Sequence, residues 1–191
     1  MNDRPQDASA EAVASFAFEL GLLKRVRRAG WWQVGVRDPE SVADHSLRVA
    51  HLATMIASLE GADPTRAAFL AVWHDSQETR TGDIPHTARP YFDKPAPSAI
   101  TADQTAHLPE AAGKTIQEAV TEYEQQRTPE ARCAKDADRL ECLIQAIEYR
   151  ESGYANVQGW IDSSRDSLTT EVARRIAEAA LCTSPLAWRG R

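Results

Sequence analysis

The chain has 191 residues, 42% of them hydrophobic, and a formal net charge of −6. This length suffices for one globular domain with a sizeable core, and the dispersed acidic residues disfavour nucleic-acid binding as the main function. No apolar segment approaches the length of a membrane span, and the N-terminus lacks the apolar core of a signal peptide. The three cysteines have no spacing typical of a zinc ribbon or a disulfide framework. We therefore expect a soluble cytoplasmic protein that binds neither nucleic acid nor membranes.

The N-terminal part is expected to form a short tail and one helix. Residues 1–9 are polar and are predicted to be a flexible tail, with residues 10–191 forming the single domain. Apolar residues at helical spacing predict a first helix from Ala10 to about Val26. The segment R-V-R-R-A-G-W-W, residues 25–32, follows. Its arginines either complement the negative end of the helix dipole or belong to an anion-binding pocket, and both interpretations stay open.

The second predicted helix begins at a clear capping signal. Ser41 is followed three residues later by Asp44, which resembles a capping box, and apolar residues at helical spacing extend the helix to about Leu59. His45 lies near this apolar stripe. A histidine in such a position is either a hydrogen-bonded core residue or a ligand that faces a buried site.

The third predicted helix carries a dense group of polar residues at its end. It begins at the aspartate–proline pair 63–64 and continues through the apolar run A-A-F-L-A-V-W to His74, Asp75 and Glu78. The turn T-G-D-I-P, which contains Asp83, stops it. Carboxylates beside an imidazole are unfavourable in a buried place unless a cation neutralises them, and a divalent metal ion is the simplest such cation. The alternative is a polar helix end in contact with water.

The C-terminal half is predicted to contain three further helices. The proline-rich residues 86–109 are expected to form a long connection, which is either a lid beside a functional site or a disordered segment. Helical patterns follow at residues 109–127, 129–151 and 168–181, and Asp138 lies beside the apolar face of the second of these. We therefore predict an all-α fold, a single-domain bundle of about six helices.

Three of the predicted helices thus carry chemically similar groups, the side chains of His45, His74, Asp75 and Asp138. If these helices converge, two imidazoles and two carboxylates meet at one point. Such a set suits Zn, Mn, Co, Ni or Fe(II) and leaves coordination positions open for water.

Three segments together resemble a known family. They are P-E-S-V-A-D-H-S at residues 39–46, H-D-S-Q-E-T-R-T-G-D-I-P at residues 74–85 and K-D-A-D-R-L-E at residues 135–141. In this order they are similar to the motifs of the HD-domain metal-dependent phosphohydrolase superfamily, and more narrowly of its 5′-deoxynucleotidase branch. The resemblance covers roughly residues 23–153 and implies the HD-domain fold, a nucleotide substrate and a homodimer.

The resemblance also implies a role for individual residues. It implies that one divalent metal ion, of the kinds Mn, Co, Zn, Ni, Fe or Mg, is held by His45, His74, Asp75 and Asp138. Glu78 matches the acid that the family places beside the attacking water, and Asp83 matches the acid beside the phosphate and the leaving oxygen. Arg28 and Trp31 match substrate-contacting residues, although Gly30 precedes the tryptophan where the bacterial pattern has the arginine.

Three functions are consistent with these motifs. The first is a 5′-nucleotidase that hydrolyses deoxynucleoside 5′-monophosphates to nucleoside and phosphate. The second is a deoxynucleoside triphosphate triphosphohydrolase or a pyrophosphohydrolase, whose longer anionic substrate needs more cations than the motifs provide. The third is a non-catalytic metal- or nucleotide-binding module, which the intact Glu78 and Asp83 disfavour. His86 and His107 are predicted to be loop residues, and the C-terminal segment with Trp188 is predicted either to form a dimer interface or to pack on its own core.

Overall fold

The computed structural model describes residues 5–93 and 95–190, with side chains described from residue 9 onward. Within these ranges it contains nine α-helices and five short 3-10 helices, and it contains no β-strand. The predicted all-α fold is therefore confirmed, whereas the predicted number of about six helices is too low. None of the described helices combines the length and the apolar character that crossing a membrane would require.

The α-helices are α1 (Pro5–Leu20), α2 (Val42–Glu60), α3 (Pro64–Trp73), α4 (Glu78–Thr81), α5 (Pro97–Gln104), α6 (Glu110–Gln125), α7 (Pro129–Glu151), α8 (Gln158–Asp166) and α9 (Glu171–Leu181). The 3-10 helices are Gly21–Lys24, Ala29–Val34, His86–Tyr91, Ala155–Val157 and Ala187–Gly190.

The helix starts that we predicted from capping residues are confirmed. Ser41 caps α2 with the complete capping box, since its hydroxyl accepts from the Asp44 amide and the Asp44 carboxylate accepts from the Ser41 amide. Asp63 and Thr128 cap α3 and α7 with side-chain oxygens that accept from amides of the first turn, without the reciprocal bond of a capping box. Each cap satisfies amides at a helix start that have no partner within the helix, so these signals depend on local sequence alone.

Two helices, α5 and α8, were not predicted from the sequence, and the start of α1 was predicted too late in the chain. The proline-rich segment contains α5, which begins with Pro97 in its first turn, because a proline is compatible with the start of a helix although it breaks the interior. The polar helix α8 also escaped the sequence pattern. Helix α1 begins at Pro5, inside the predicted tail, and residues 1–4 lie outside the described residues.

The third helix ends earlier than predicted. Helix α3 stops at Trp73, and the next residues bond in i to i−3 fashion, with the Ser76 amide on the Trp73 carbonyl and the Glu78 amide on the Asp75 carbonyl. The Ser76 hydroxyl also donates to the Trp73 carbonyl at 2.9 Å. Such side-chain bonds compete with the regular helical pattern. Glu78 therefore begins the separate helix α4, and the expectation that it continues the His74 helix at i+4 is wrong.

Helices α2, α3 and α7 form the centre of the molecule, since α2 packs on both of the others and α3 also packs on α7. Their contact surfaces are rich in fully buried alanines: Ala53 and Ala57 of α2, Ala67 and Ala71 of α3, and Ala134, Ala137 and Ala146 of α7. Because an alanine side chain is a single methyl group, it allows two helix backbones to approach closely. This close packing brings the polar ends of the three helices together.

Two aspartates of α7 have different roles although they are two residues apart. Asp136 is fully buried and accepts hydrogen bonds from the backbone amides of Thr169 at 2.8 Å and Thr170 at 2.6 Å. It therefore fixes the start of α9. Residues i and i+2 of a helix point in different directions, so Asp138 is directed away from this contact and toward the ends of α2 and α3.

The C-terminal segment lies against α7 and α9. Leu186 and Trp188 remain largely exposed, at 56% and 69%. Trp188 nevertheless lines a groove of about 350 Å³ together with Ile144 and Ile147 of α7 and Ala180 of α9. The segment therefore covers part of its own domain without entering the core, and the dimer interface stays a prediction.

Glu19 joins α1 to the segment that follows the His-Asp pair. Its carboxylate accepts from the Thr79 hydroxyl at 3.0 Å, from Arg80 Nε at 2.8 Å and from Gln104 Nε2 at 2.9 Å. The hydrogen bond from Arg80, together with those from Gln104 and Thr79, lowers the pKa of Glu19 from 4.5 to about 2 although partial burial opposes the change. This carboxylate therefore stabilises the fold in its ionised form.

Replacing Glu19 by glutamine is expected to lower the free energy of unfolding by about 1–2 kcal/mol near neutral pH. Because the folded pKa lies below the unfolded value, this contribution is complete above about pH 5 and disappears as the pH falls toward 2. Urea unfolding of both proteins between about pH 2.5 and 7 measures the difference. Glu11→Gln, an exposed position on the same helix, is the control. A difference that did not change with pH would contradict the assignment.

Candidate metal and substrate site

His45 is held by a buried carboxylate on α7. Its Nδ1 atom lies 2.5 Å from Oε2 of Glu141, and both side chains are fully buried. The other oxygen, Oε1, accepts two hydrogen bonds from Arg48, at 2.9 and 2.7 Å. The carboxylate thus orients the imidazole and places its N–H on Nδ1. The lone pair of Nε2 then points into the space between the helices.

His74 is oriented in the same sense by the backbone. Its Nδ1 atom lies 2.6 Å from the carbonyl oxygen of Ala71, and a carbonyl oxygen can only accept a hydrogen bond. The N–H must therefore be on Nδ1, which leaves a lone pair on Nε2. Among the described residues, the buried Nε2 atoms of His45 and His74 have no hydrogen-bond partner of acceptable geometry.

Two carboxylate oxygens face these lone pairs. Oδ1 of Asp138 lies 3.2 Å from Nε2 of His45 and 4.0 Å from Nε2 of His74. Oδ2 of Asp75 lies 3.1 Å from Nε2 of His74 and 3.9 Å from Nε2 of His45. Four acceptors at such distances repel one another in a buried place unless a cation lies among them. The donor set, two nitrogens and two oxygens, fits a divalent transition metal.

The free side of Asp138 is held by two donors. Its Oδ2 atom accepts from the Tyr123 hydroxyl at 2.8 Å and from Lys135 Nζ at 3.0 Å. Burial raises the pKa of Tyr123 well above its ordinary value, so the phenol keeps its proton for this bond. For Asp138, burial acts to raise the pKa, but the ammonium group of Lys135 lowers it well below its usual range. The carboxylate is thus ionised, with one oxygen directed at the histidines.

Arg28 and Asp83 lie beside Asp75. A β-bridge between Arg27 and Ser41 holds this segment against the start of α2. Nη1 of Arg28 lies 3.6 Å from Asp75 Oδ2 and 3.5 Å from Asp83 Oδ1, and the Asp83 Oδ2 atom accepts from the Ala29 amide at 2.5 Å. The structure therefore brings a guanidinium and a second carboxylate to the edge of the histidine cluster.

Arg28, Asp75, Asp83 and Asp138 line one cleft of about 740 Å³, and Glu78 lines it as well. Glu78 and Asp75 further border a second cavity of about 450 Å³ on the other side, beside Phe92 and Tyr123. Glu78 is 7% exposed, so it is nearly buried at the point where the two cavities adjoin. Its position beside Asp75 results from the tight turn after α3 and not from a continuous helix.

Trp31 is placed differently from the other predicted residues. It is 1% exposed, its indole N–H donates to Glu40 at 3.1 Å, and its ring packs at 5.1 Å from that of Tyr149. It therefore lies beneath the cleft with little surface for a ligand. The role of Trp31 in substrate contact stays a prediction, as do the roles assigned to the other site residues.

The comparison with protein families supports the motif analysis. The sequence pattern of the HD domain family matches residues 20–180. The chain belongs to the HD domain family. The 5′-deoxynucleotidase HDDC2 of Bos taurus is 34% identical over 174 residues, which cover 88% of this chain and 84% of that protein. The resemblance to the 5′-deoxynucleotidase branch is thereby confirmed.

Solved structures share the fold. A conserved hypothetical protein from Pyrococcus furiosus superposes with a TM-score of 0.74 at 31% identity, covering 89% of this chain and 99% of that one. The cyanophage S-2L HD phosphohydrolase, bound to dA and one catalytic Zn²⁺ ion, superposes with a TM-score of 0.53 at 18% identity, covering 87% and 96% of the two chains. At that identity the second likeness concerns the fold alone.

Several residues that contact this HD-domain cluster or line its cleft were not identified from the sequence. Glu141 follows Asp138 by three positions on one helix face, which is a signal that periodicity could have used. Lys135 precedes Asp138 by three positions and offered the same local signal. Tyr123 and Trp160 gave none, because their contacts join residues that are distant in the chain. Of the two histidines assigned to the loop, His86 lines the rim of the cleft and His107 is exposed.

Glu141→Gln is expected to lower the affinity of the HD-domain site for a divalent metal about 10- to 100-fold, because a neutral amide holds the His45 N–H and the Arg48 guanidinium less well. Titration calorimetry with Mn²⁺ or Zn²⁺ on chelator-treated protein measures this. Glu148→Gln is the matched control, since Glu148 binds the same arginine at 2.8 Å on the solvent side. Equal metal affinities of the two variants would contradict a role of Glu141 in orienting His45.

Proposed function

We propose that this HD-domain protein is a metal-dependent 5′-nucleotidase that hydrolyses deoxynucleoside 5′-monophosphates to nucleoside and phosphate. One observation carries the proposal: two buried imidazoles and two half-buried carboxylates converge without a donor between them, beside a cleft that also contains a guanidinium. The name of the bovine relative, a 5′-deoxynucleotidase, supports the substrate class. The confirmed family membership supports the reaction class.

We assign the metal ion to His45, His74, Asp75 and Asp138. The described lone pairs and carboxylate oxygens fit such an ion, and the reactive atoms of His45, His74 and Asp138 lie within 4.8 Å of one another. A divalent ion bound there supplies Lewis acidity toward a water molecule and a phosphate oxygen. The Zn²⁺ named for the cyanophage enzyme makes zinc one of the first ions to test, beside Mn²⁺, Co²⁺, Ni²⁺, Fe²⁺ and Mg²⁺.

Arg28 is assigned to the phosphate. Its Nη2 atom donates to the sulfur of Cys142 at 3.2 Å, which is a weak acceptor, and Nη1 lies 3.5 and 3.6 Å from two carboxylates without a close bidentate pairing. The guanidinium therefore keeps donors for phosphate oxygens. Arg89 lines both cavities and adds positive charge near the same point. These cations neutralise the charge that the phosphoryl oxygens carry in the transition state.

Glu78 and Asp83 are assigned to proton transfer. Glu78 adjoins Asp75 in the cleft and is placed to take a proton from the attacking water. Asp83 lies beside Arg28 and is placed to return a proton to the departing sugar oxygen. Asp83 accepts a hydrogen bond from the Ala29 amide and lies 3.5 Å from the guanidinium of Arg28, so it is held at the place assigned to the phosphate.

The charges of the cleft favour a monophosphate over a triphosphate. Among the described residues that line it, the cationic side chains are Arg28, Arg89, Lys135 and Arg139. Lys135 is already bonded to Asp138, and Arg139 to the buried Asp136. Few cations thus remain for the additional charges of a longer phosphate chain.

A homodimer and a cytoplasmic location are kept as further proposals. The exposed apolar side chains Leu186 and Trp188 beside the groove on α7 and α9 support an interface between copies, since large exposed apolar groups often mark such surfaces.

The proposed reaction is tested with a panel of ribo- and deoxynucleoside mono-, di- and triphosphates. Chelator-treated protein is resupplied with each metal ion, and phosphate, pyrophosphate and triphosphate are measured separately. We expect metal-dependent phosphate release from deoxynucleoside monophosphates. Release of triphosphate or pyrophosphate would assign the protein to the alternative hydrolases. Metal binding with no product from any nucleotide would indicate a non-catalytic binding module.

Glu78→Gln is expected to lower kcat by about 10²- to 10⁴-fold, because the amide cannot accept the proton of the attacking water. Steady-state phosphate release measures this, and calorimetric metal titration verifies that the ion still binds. Glu124→Gln serves as the control, since Glu124 is an exposed residue that borders the neighbouring cavity with Glu78. An unchanged kcat in Glu78→Gln would exclude Glu78 as the base.

A further inference from the structure

The wall of the cleft formed by α8 has a composition unlike that of its floor. The residues of α8 and its flanking turns that line the cleft are Asn156, Gly159, Trp160, Ser163, Ser164 and Ser167. Their spacing of three to four residues places them on one helical face. Every one of them is uncharged, whereas the described cations and the metal-binding cluster lie on the other walls. The cleft is therefore divided into a charged end and a neutral wall.

Trp160 is the aromatic residue of this wall, and its ring is held in place from below. It packs on Trp31 with ring centroids 4.6 Å apart and an interplanar angle of 35°. Trp31 is itself fixed by its bond to Glu40 and by the edge contact with Tyr149. An indole supported in this way loses little further freedom when a ligand packs on its open face.

Gly30 makes this arrangement possible. A Cβ atom at position 30 would lie 2.4 Å from Cη2 and 2.7 Å from Cζ2 of Trp160, which is closer than such atoms can approach. The departure from the bacterial Arg-Trp spacing thus has a structural consequence: the glycine admits the Trp160 ring above Trp31. Arg28, Asp83 and Trp160 also border one small cavity of about 100 Å³, so the indole adjoins the proposed phosphate site.

We propose that Trp160 is the platform on which the nucleobase of the substrate stacks, and that it determines the preference for nucleotides over other phosphomonoesters. This inference rests on the proposed function, since it assigns the base half of that substrate. The charged end of the cleft binds the phosphate, and the neutral α8 wall receives the base. Stacking on an aromatic ring tolerates any base, because each base has a π-face. Gly159 and the serines leave room beside the indole.

The test compares two substrates that differ only by the base, deoxyadenosine 5′-monophosphate and 2-deoxyribose 5-phosphate. For Trp160→Ala, we expect kcat/KM for the nucleotide to fall about 5- to 150-fold while that for the sugar phosphate stays within about twofold. Trp160→Phe is expected to keep most of the wild-type kcat/KM for the nucleotide, because phenylalanine also offers an aromatic ring. Trp32→Ala is the control, since Trp32 is 57% exposed and adjacent in sequence to Trp31. Thermal unfolding establishes that each variant is folded.

A second measurement does not depend on catalysis. Deoxyadenosine is expected to quench the tryptophan fluorescence of the wild-type protein, and Trp160→Phe is expected to remove most of that quenching. If Trp160→Ala lost kcat/KM equally for the nucleotide and the sugar phosphate, the role of Trp160 would be structural and the proposal would be overturned. Unchanged kinetics in Trp160→Ala would overturn it as well. If the wild type hydrolysed no nucleotide, the proposed function would fail, and the quenching experiment would still decide whether Trp160 binds the nucleoside.

Discussion

The mutual repulsion of four acceptors at the junction of α2, α3 and α7 is the constraint on which the site depends. Each of the two imidazole Nε2 atoms lies 3.1–4.0 Å from an oxygen of Asp75 and an oxygen of Asp138. The helices that hold them there face one another largely through alanine side chains. Lys135 and Arg28 offset part of the negative charge of the two carboxylates, but no described donor lies between the carboxylates and the imidazole lone pairs, so the repulsion among these atoms opposes the packing of the helices. The same close packing prevents the acceptors from moving apart.

The surrounding contacts leave one side-chain atom each of His45, His74 and Asp138 facing the cluster. Glu141 occupies Nδ1 of His45, the Ala71 carbonyl occupies Nδ1 of His74, and Tyr123 with Lys135 occupies Oδ2 of Asp138. The partners differ in kind, but each removes the competing tautomer or orientation. A buried polar network of this type is favourable only when its members are satisfied, and the unsatisfied Nε2 atoms of His45 and His74 face the same two carboxylates.

The cleft separates charge from aromatic surface. Its cations and acids lie at the end formed by the arginine segment before α2 and by the turn after α3, and its neutral wall is formed by α8. This division matches the two halves of a nucleotide, a charged phosphate and a flat apolar base. Gly30 connects the two regions, because it follows Arg28 in the chain and contacts Trp160 in space.

Much of the fold and the residues of the cluster could be predicted because their signals are local. The caps at Ser41, Asp63 and Thr128 satisfy amides within three residues, and helical periodicity reflects burial along one element. The motif order around His45, His74 and Asp138 was likewise sufficient to identify the family. The tertiary structure alone decided which distant residues complete the site, since the contact of His45 with Glu141 spans 96 positions. It also decided the end of α3, where the Ser76 hydroxyl competes for the Trp73 carbonyl, and the burial of Trp31 beneath Trp160. Those outcomes depend on competition among contacts that form only when separate segments pack, and no local pattern encodes that competition.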